Sequence, residues 1–464
     1  MLRLSRSGLG GKWLKSPNCW ALLALGIRLA AFASISVIGT AMERAAGMTP
    51  PAGRPSSVLQ LLYSRTDFIR LTEDETAYNE MAKNIVAGRG FVTDNGWLVA
   101  KPGQPTAYAG AGYPLFVALW YRLFGSGNQI AFFVGQILLA ALATYLIFWI
   151  TREIAGTLAA QIAAAAYVFN PLLIWVSIAM MSEALMGPLV VGYLWLLHRV
   201  MDSARTRSLA WGLLVCLGAD AAALAETRSI SFSLALGALL VLWFVGAATT
   251  ARRLRLVRCV MFAAVFASVC APWAARNYFL WHRWIPFSTK SGMSAYMFNN
   301  SGLRVGLGRQ LVAGEMPVDA YSPAIQGLPD ESSRDAALMG LFWQFVRTQP
   351  LKFLGLVACR FAVAVLPVTS TESNWPTALA ALWSKLPILV LLVLSLVRFG
   401  KVPLAAALLP EILVVVCWWL GQSLAGPGLR FRSPADFAYS IIVGVLAAVL
   451  LSPGSDLRRQ RLSA

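Results

Sequence analysis

Long apolar runs recur along the chain, separated by short polar clusters. The first extends from Cys19 to Met42, and others cover Gln129–Ile150, Thr157–Ile174, Ile178–Val200, Leu209–Leu224, Ser231–Ala248 and Val257–Ala275. A helix needs about 20 mostly apolar residues to cross about 30 Å of hydrocarbon, so these runs predict transmembrane helices. Beyond Pro350 lie four more: Leu351–Pro367, Leu386–Val397, Val402–Leu420 and Phe437–Leu451. The pattern predicts an all-α polytopic membrane protein with roughly ten or eleven spans. The run Gly112–Gly125 is too short to span; it predicts an interfacial helix anchored by Tyr113, Trp120 and Tyr121.

Composition agrees. Of 464 residues, 58% are hydrophobic and 13% charged, about half the charge of a soluble protein. The net charge of +18 does not indicate nucleic acid, because the basic residues sit in short clusters between apolar runs. That placement is the positive-inside pattern, with attraction to anionic lipid headgroups accompanying it. Arg3, Arg6, Lys12 and Lys15 precede the first run, which is long for a signal-peptide core and predicts a signal anchor. Arg199, Arg205 and Arg207, then Arg252, Arg253, Arg255 and Arg258, fall on the predicted inside. The resulting division is a cytoplasmic N-terminus (1–18), an anchor (19–42), a first extracytoplasmic loop (43–128) and a bundle (129–275). A second extracytoplasmic loop (276–350), C-terminal helices (351–453) and a basic tail (454–464) complete it. Within the C-terminal part, Leu351–Pro367 contains Lys352 and Arg360 and predicts an interfacial or re-entrant element.

The six cysteines lie in or beside apolar segments and none form a C-x-x-C pair, so they read as small buried hydrophobes. With only His198 and His282 present, acid–base work falls to carboxylates. Four acids, Glu73, Asp74, Glu75 and Glu80, crowd the first outer loop. Thr72-x-x-Glu75 matches a capping box, which predicts a helix start and gives Glu75 a structural role. Asp74 falls in the first turn, where interaction with the helix dipole is its plain reading. Asp74, Tyr78 and Ala82 share one face at i, i+4 and i+8, able to dock on the membrane domain with Asp74 at a cavity. Glu73 and Glu80 are expected to be solvated. Glu183 lies just inside an apolar run, where an acid is functional by default unless a pairing with Arg276 or Arg28 makes it structural.

Several short motifs follow one another in order: Asp74-Glu75-x-x-Tyr78-x-x-x-Ala82, Gly88-x-Gly90-Phe91, Gly112-Tyr-Pro-Leu-Phe116 and Ser182-Glu183. Pro272-Trp273-x-x-Arg276-Asn277-Tyr278, Ser288-Thr-Lys-Ser-Gly292, Asn299-Asn300 and Arg430-Phe-Arg432-x-Pro434 continue the series. The ordered set resembles the GT-C glycosyltransferases, in the branch of protein O-mannosyltransferases and the lipid A aminoarabinose transferase. The chain departs from the family at Ala109-Gly-Ala111 and at Glu226-Thr-Arg228-Ser229. The resemblance implies inverting transfer from a polyprenyl-phosphate sugar to a lipid, glycan or protein acceptor on the periplasmic face of a bacterial inner membrane. Such a donor carries its own leaving group, so the chemistry asks for one carboxylate base and cations for the departing phosphate. Asp74 is the expected base. Lys101 and Arg276, with Arg228 third, are the expected phosphate cations; Glu75, Tyr78, Glu183 and Asn300 are candidates to line the sugar or acceptor site. No cofactor is certain. A divalent cation, Mg²⁺ or Mn²⁺, held through waters and a purely Lys/Arg site both remain open.

Two other functions fit parts of the pattern. An O-antigen ligase or polymerase would rely on arginines and a histidine in its large outer loop, where His282 is the candidate. A transporter or flippase would carry mid-span charges and repeat symmetry, whereas most acids here lie in the outer loops and no repeat is visible.

Overall fold

Backbone amides have no water to bond in hydrocarbon, so apolar segments fold as helices. The computed structural model describes residues 13–45, 73–96, 99–205, 211–244, 251–306, 316–365, 375–399, 407–425 and 433–451. Among them regular structure is helical, apart from an isolated antiparallel bridge between Val92 and Pro105.

The bundle is built on α1 (Pro17–Ala45), followed after the loop helices α2 (Glu73–Val86) and α3 (Gly112–Phe124) by α4 (Gln129–Val168). A short α5 (Pro171–Ser177), α6 (Ser182–Arg205), α7 (Trp211–Thr227), α8 (Phe232–Phe244) and α9 (Arg252–Trp281) come next. In the second loop lie α10 (Ser291–Phe298) and α11 (Glu331–Thr348); α12 (Pro350–Val365), α13 (Trp375–Phe399), α14 (Leu409–Ala425) and α15 (Ser433–Leu451) follow. Among the described residues five helices are long and apolar enough to cross a membrane: α1, α4, α6, α9 and α15. Shorter apolar helices, including Leu409–Leu424, pack beside them. Helices α11 and α12 are bent 105° to each other at Gln349.

The C-terminal α15 and the N-terminal α1 both pack along α4, and α7 packs against α6 and α9. Ile147, Phe148, Tyr193, Leu197, Leu217, Trp418, Ile441 and Val445 fill the centre. Apolar side chains face outward on the bundle surface, among them Leu138, Leu142, Leu236, Leu240 and Val393, as a lipid-facing surface requires. Arg28, fully buried in α1, lies with its guanidinium 4.8 Å from the Tyr167 ring centroid.

Several boundaries differ from expectation for local reasons. Helix α4 breaks at Ala155–Gly156, where the backbone is non-helical. Its second arm ends at Val168 rather than Ile174, because the Asn170 side chain accepts the N–H groups of Leu172 and Leu173 and starts α5, with Pro171 in its first turn. Helix α9 runs to Trp281 rather than Ala275, so Arg276 sits on a helix. Tyr113 and Tyr121 do not anchor α3 at the interface; they are buried, and the outward stripe is Leu115, Leu119 and Leu123. The reason is hydrogen bonding: Tyr113 Oη donates to Gln136 (2.8 Å) and Tyr121 Oη to Asn79 (2.7 Å), partners that only the folded protein supplies. The cysteines are free thiols, and Cys216 is exposed on the bundle surface instead of buried, since its face of α7 looks outward.

The two loops share one outer layer. Tyr78, Met81, Ala82, Tyr108, Tyr113, Phe132 and Met181 form a single core with Met293, Tyr296, Ile325 and Leu338 from the second loop. This layer sits over the ends of α4 and α6 and holds the acidic helix in place.

Candidate active site

Helix α2 is docked by its acids as much as by its apolar face. Asp74, Tyr78 and Ala82 are all buried, as their shared face predicts. Glu75 is 1% exposed and its Oε1 accepts the Met180 N–H at 3.0 Å. Its carboxylate thus bridges to the turn before α6; Thr72, the other half of the expected capping box, lies outside the described residues. Gln136 secures the same turn, donating to the carbonyls of Ser177 (3.1 Å) and Ala179 (2.6 Å). Glu80 is not simply solvated: it accepts the N–H groups of Asp94 (3.0 Å) and Asn95 (3.1 Å) and pins the following turn. The side chain of Glu73 lies outside the described residues.

Two ion pairs result at the start of α2. Asp74 Oδ1 pairs with Lys290 Nζ, and Glu183 Oε1 with Arg228 at 2.5 Å. Ser182 Oγ donates to the other Glu183 oxygen (3.1 Å), while Arg228 also reaches Ser182 Oγ (3.4 Å). The partner of Glu183 is therefore Arg228, not Arg276 or Arg28, because Arg228 caps the turn Ser229–Ser231 at the end of α7 beside the start of α6. Tyr78 stands among all four charges. Burial, then Asp74, pushes its phenol up to about 12, against the pull of Arg228 and Lys290, so at neutral pH it is a hydrogen-bond donor. Its ring meets Tyr113 edge-on at 4.7 Å.

The second loop delivers Lys290. Thr289 N–H donates to Ala107 O (2.8 Å), and Glu331 Oε1 accepts both Ala107 N–H (3.0 Å) and the Thr289 hydroxyl. Arg334 donates to Val99 O at 2.6 Å. Asp335 Oδ1 accepts the N–H groups of Gly292 (2.8 Å) and Met293 (3.0 Å), capping α10 from α11. Gly292 permits that approach: a Cβ there would lie 2.0 Å from Asp335 O. Burial pushes the Asp335 carboxyl up to about 7 despite the two N–H bonds. The departure at Ala109-Gly-Ala111 has a similar cause, since a Cβ on Gly110 would lie 2.1 Å from Glu226 O.

The other candidates lie elsewhere. Arg276 donates to Asn277 Oδ1 (2.8 Å) and Phe91 O (3.4 Å), and its guanidinium sits 4.6 Å from the Trp273 ring centroid and 5.2 Å from that of Phe91. Lys101 is exposed on the turn before Pro102. Asn300 is 1% exposed and spends its amide on the turn after α10, donating to Tyr296 O (3.0 Å) and accepting from Gly302 N–H (2.9 Å). His282 is exposed at the end of α9. Arg430 and Arg432 lie outside the described residues. Among the described residues no group of three His, Cys, Asp or Glu side chains could hold a metal ion.

Sequence reasoning assigned no role to Lys290, Glu331, Asp335 or Gln136. Lys290 carried a signal, being the sole charged residue between Arg283 and Arg304. Gln136 did too, as an amide within an apolar span.

Residues 110–275 match the family model described as dolichyl-phosphate-mannose-protein mannosyltransferase, a stretch that includes Glu183 and Arg228 and begins after Asp74. No curated protein matches the chain. Among solved structures, the archaeal oligosaccharyltransferase AglB from Archaeoglobus fulgidus, in complex with an inhibitory peptide and a dolichol-phosphate, is 14% identical with a TM-score of 0.48. The alignment covers 93% of this chain and 52% of that one, so the chain spans about half its length. ArnT from Cupriavidus metallidurans bound to undecaprenyl phosphate is 14% identical with a TM-score of 0.35, over 81% of this chain and 73% of that one. Helical among the described residues, with five helices long and apolar enough to cross a membrane, the chain is thus similar over its central residues 110–275 to the dolichyl-phosphate-mannose-protein mannosyltransferase family.

Proposed function

We propose that the protein transfers a sugar from a polyprenyl-phosphate donor to a hydroxyl of a lipid, glycan or protein acceptor. The reaction occurs at the periplasmic face of a bacterial inner membrane, with inversion at the anomeric carbon. The acceptor oxygen forms the new bond to the anomeric carbon as the bond to the phosphate oxygen breaks. Its proton goes to Asp74, and the electron pair of the broken bond leaves with the polyprenyl phosphate. A single displacement inverts configuration. Because the leaving group is already a stable anion, protonation by a general acid is not required; a nearby cation stabilises the charge that develops on it. Tyr78, protonated at neutral pH, is placed to donate to a sugar or phosphate oxygen.

The observation that carries this reading is the grouping of Asp74, Lys290, Glu183 and Arg228 around Tyr78 in the outer layer. The direction of the loops follows from the clusters at Arg199–Arg207 and Arg252–Arg258, which the positive-inside rule assigns to the cytoplasm. Loss of a general base costs about 100-fold or more in rate. Asp74→Asn should lose that much transfer while inserting normally, assayed in membranes with radiolabelled polyprenyl-phosphate sugars. Full activity in the variant rejects Asp74 as the base.

A further inference from the structure

The cation in contact with Asp74 is the more exposed member of its pair: the Lys290 side chain is 29% exposed and that of Asp74 12%. An anion entering from the outer face therefore meets Lys290 before it meets Asp74. The backbone at Lys290 is fixed on both sides, by the Thr289 N–H bond to Ala107 O and by Asp335 at the start of α10. Its side chain is not fixed in the same way. A lysine ammonium is a compact charge on a four-carbon stem with three donors, able to change partner without moving its backbone. The ammonium lies 4.6 Å from the Tyr108 ring centroid, an aromatic face along which a cation remains stabilised as it moves.

We propose that Lys290 is the cation for the donor phosphate, and that the phosphate and Asp74 compete for it, so that donor binding releases Asp74 to act as base. This rests on the functional reading above. A carboxylate held against an ammonium is a weak base, because the opposite charge stabilises its ionised form. When the phosphodiester takes Lys290, Asp74 loses that stabilisation and gains a negative neighbour, and its basicity rises. Among the charged and titratable groups, Lys290 at the start of α10 pairs with Asp74, Tyr78 of its own helix feels the Asp74 charge, and the Glu183–Arg228 pair from the start of α6 and the end of α7 lies on Tyr78 as well. Arg228 stays with Glu183, which is 1% exposed and would otherwise be a buried unpaired charge. The enzyme thereby acquires a competent base only when a donor is present.

The test uses binding of farnesyl methyl phosphate, a phosphodiester that stays monoanionic across the working pH range, to the detergent-purified full chain. Calorimetry of the unmodified protein at about pH 5, in two buffers of different ionisation enthalpy, should show fractional proton uptake on binding. Asp74→Asn should abolish the uptake and bind about 3- to 10-fold tighter, since Lys290 no longer has a competitor. Lys290→Gln should bind about 10-fold weaker or worse and show less uptake at saturation, whereas Lys290→Arg keeps most of the affinity. Opposite signs at the two positions are the diagnostic, because a purely structural pair would weaken binding from either side. No proton uptake by the unmodified protein, or an Asp74→Asn variant that binds no tighter, overturns the proposal. Uptake and opposite signs without sugar transfer from any donor overturn the functional reading alone; transfer without them overturns this inference alone.

Discussion

Removing the Glu331 carboxylate should open the joint between the two outer loops. Glu331 is 5% exposed and its Oε1 takes the Ala107 N–H at 3.0 Å together with the Thr289 hydroxyl. Glu331→Ala strands both donors in a dry site, and each buried donor left without a partner costs about 1–3 kcal/mol. The sum is about 2–6 kcal/mol. Burial pushes the Glu331 carboxyl itself upward, so its removal also relieves a desolvation cost and the lower end applies. At about 1.4 kcal/mol per factor of ten, 2 kcal/mol is about a 30-fold rise in local opening. Hydrogen exchange read by mass spectrometry measures this directly, in peptides covering 99–108 and 285–298. Glu331→Gln retains an acceptor oxygen and should lose less than half of that protection. A change below about 3-fold in Glu331→Ala would refute the idea that this carboxylate joins the loops. Because Thr289 and Ala107 adjoin Lys290 and Tyr108, the same opening should loosen the contact between Lys290 and Asp74.

Three further outcomes follow from the packing. Gly110→Ala places a Cβ 2.1 Å from the backbone oxygen of Glu226, which must move; a cost of about 1–3 kcal/mol should appear as a lowered Tm of the purified protein, and an unchanged Tm would contradict the contact. Arg228→Met leaves buried Glu183 unpaired, at about 3–5 kcal/mol. Its monodisperse yield should fall and recover in the Arg228→Met/Glu183→Gln double variant; equal yields for single and double would mean the pair is not coupled. The Asp335 carboxyl, raised to about 7 by burial, gives a pH dependence of defined sign. A carboxyl raised above its unfolded value holds its proton more tightly in the folded state, so stability is full below about pH 4 and declines as pH rises to about 7. Exchange protection of 291–298, corrected for intrinsic rates, should fall over that window and become flatter in Asp335→Asn; an unchanged slope would show that Asp335 does not titrate there.

The membrane architecture was legible in the chain because it rests on local quantities. Apolar length, the placement of arginines and the Asp74/Tyr78/Ala82 spacing are properties of single segments, and hydrocarbon leaves a backbone little choice but helix. Segment ends also obeyed local chemistry where a cap was present, as at Asn170. Partners were another matter. Glu183 could have met Arg28 or Arg276; it meets Arg228 because the end of α7 packs beside the start of α6. Tyr113 looked like an interfacial anchor until Gln136, on a different helix, supplied its hydrogen bond. Lys290 is 216 residues from Asp74 along the chain, and what brings them together is the Glu331 and Asp335 contacts of a third segment. A charge's neighbours depend on distances of a few ångströms between segments far apart in sequence. The acidic helix could thus be found from the sequence alone, while the cation that pairs with Asp74 emerged only once the two loops were folded against each other.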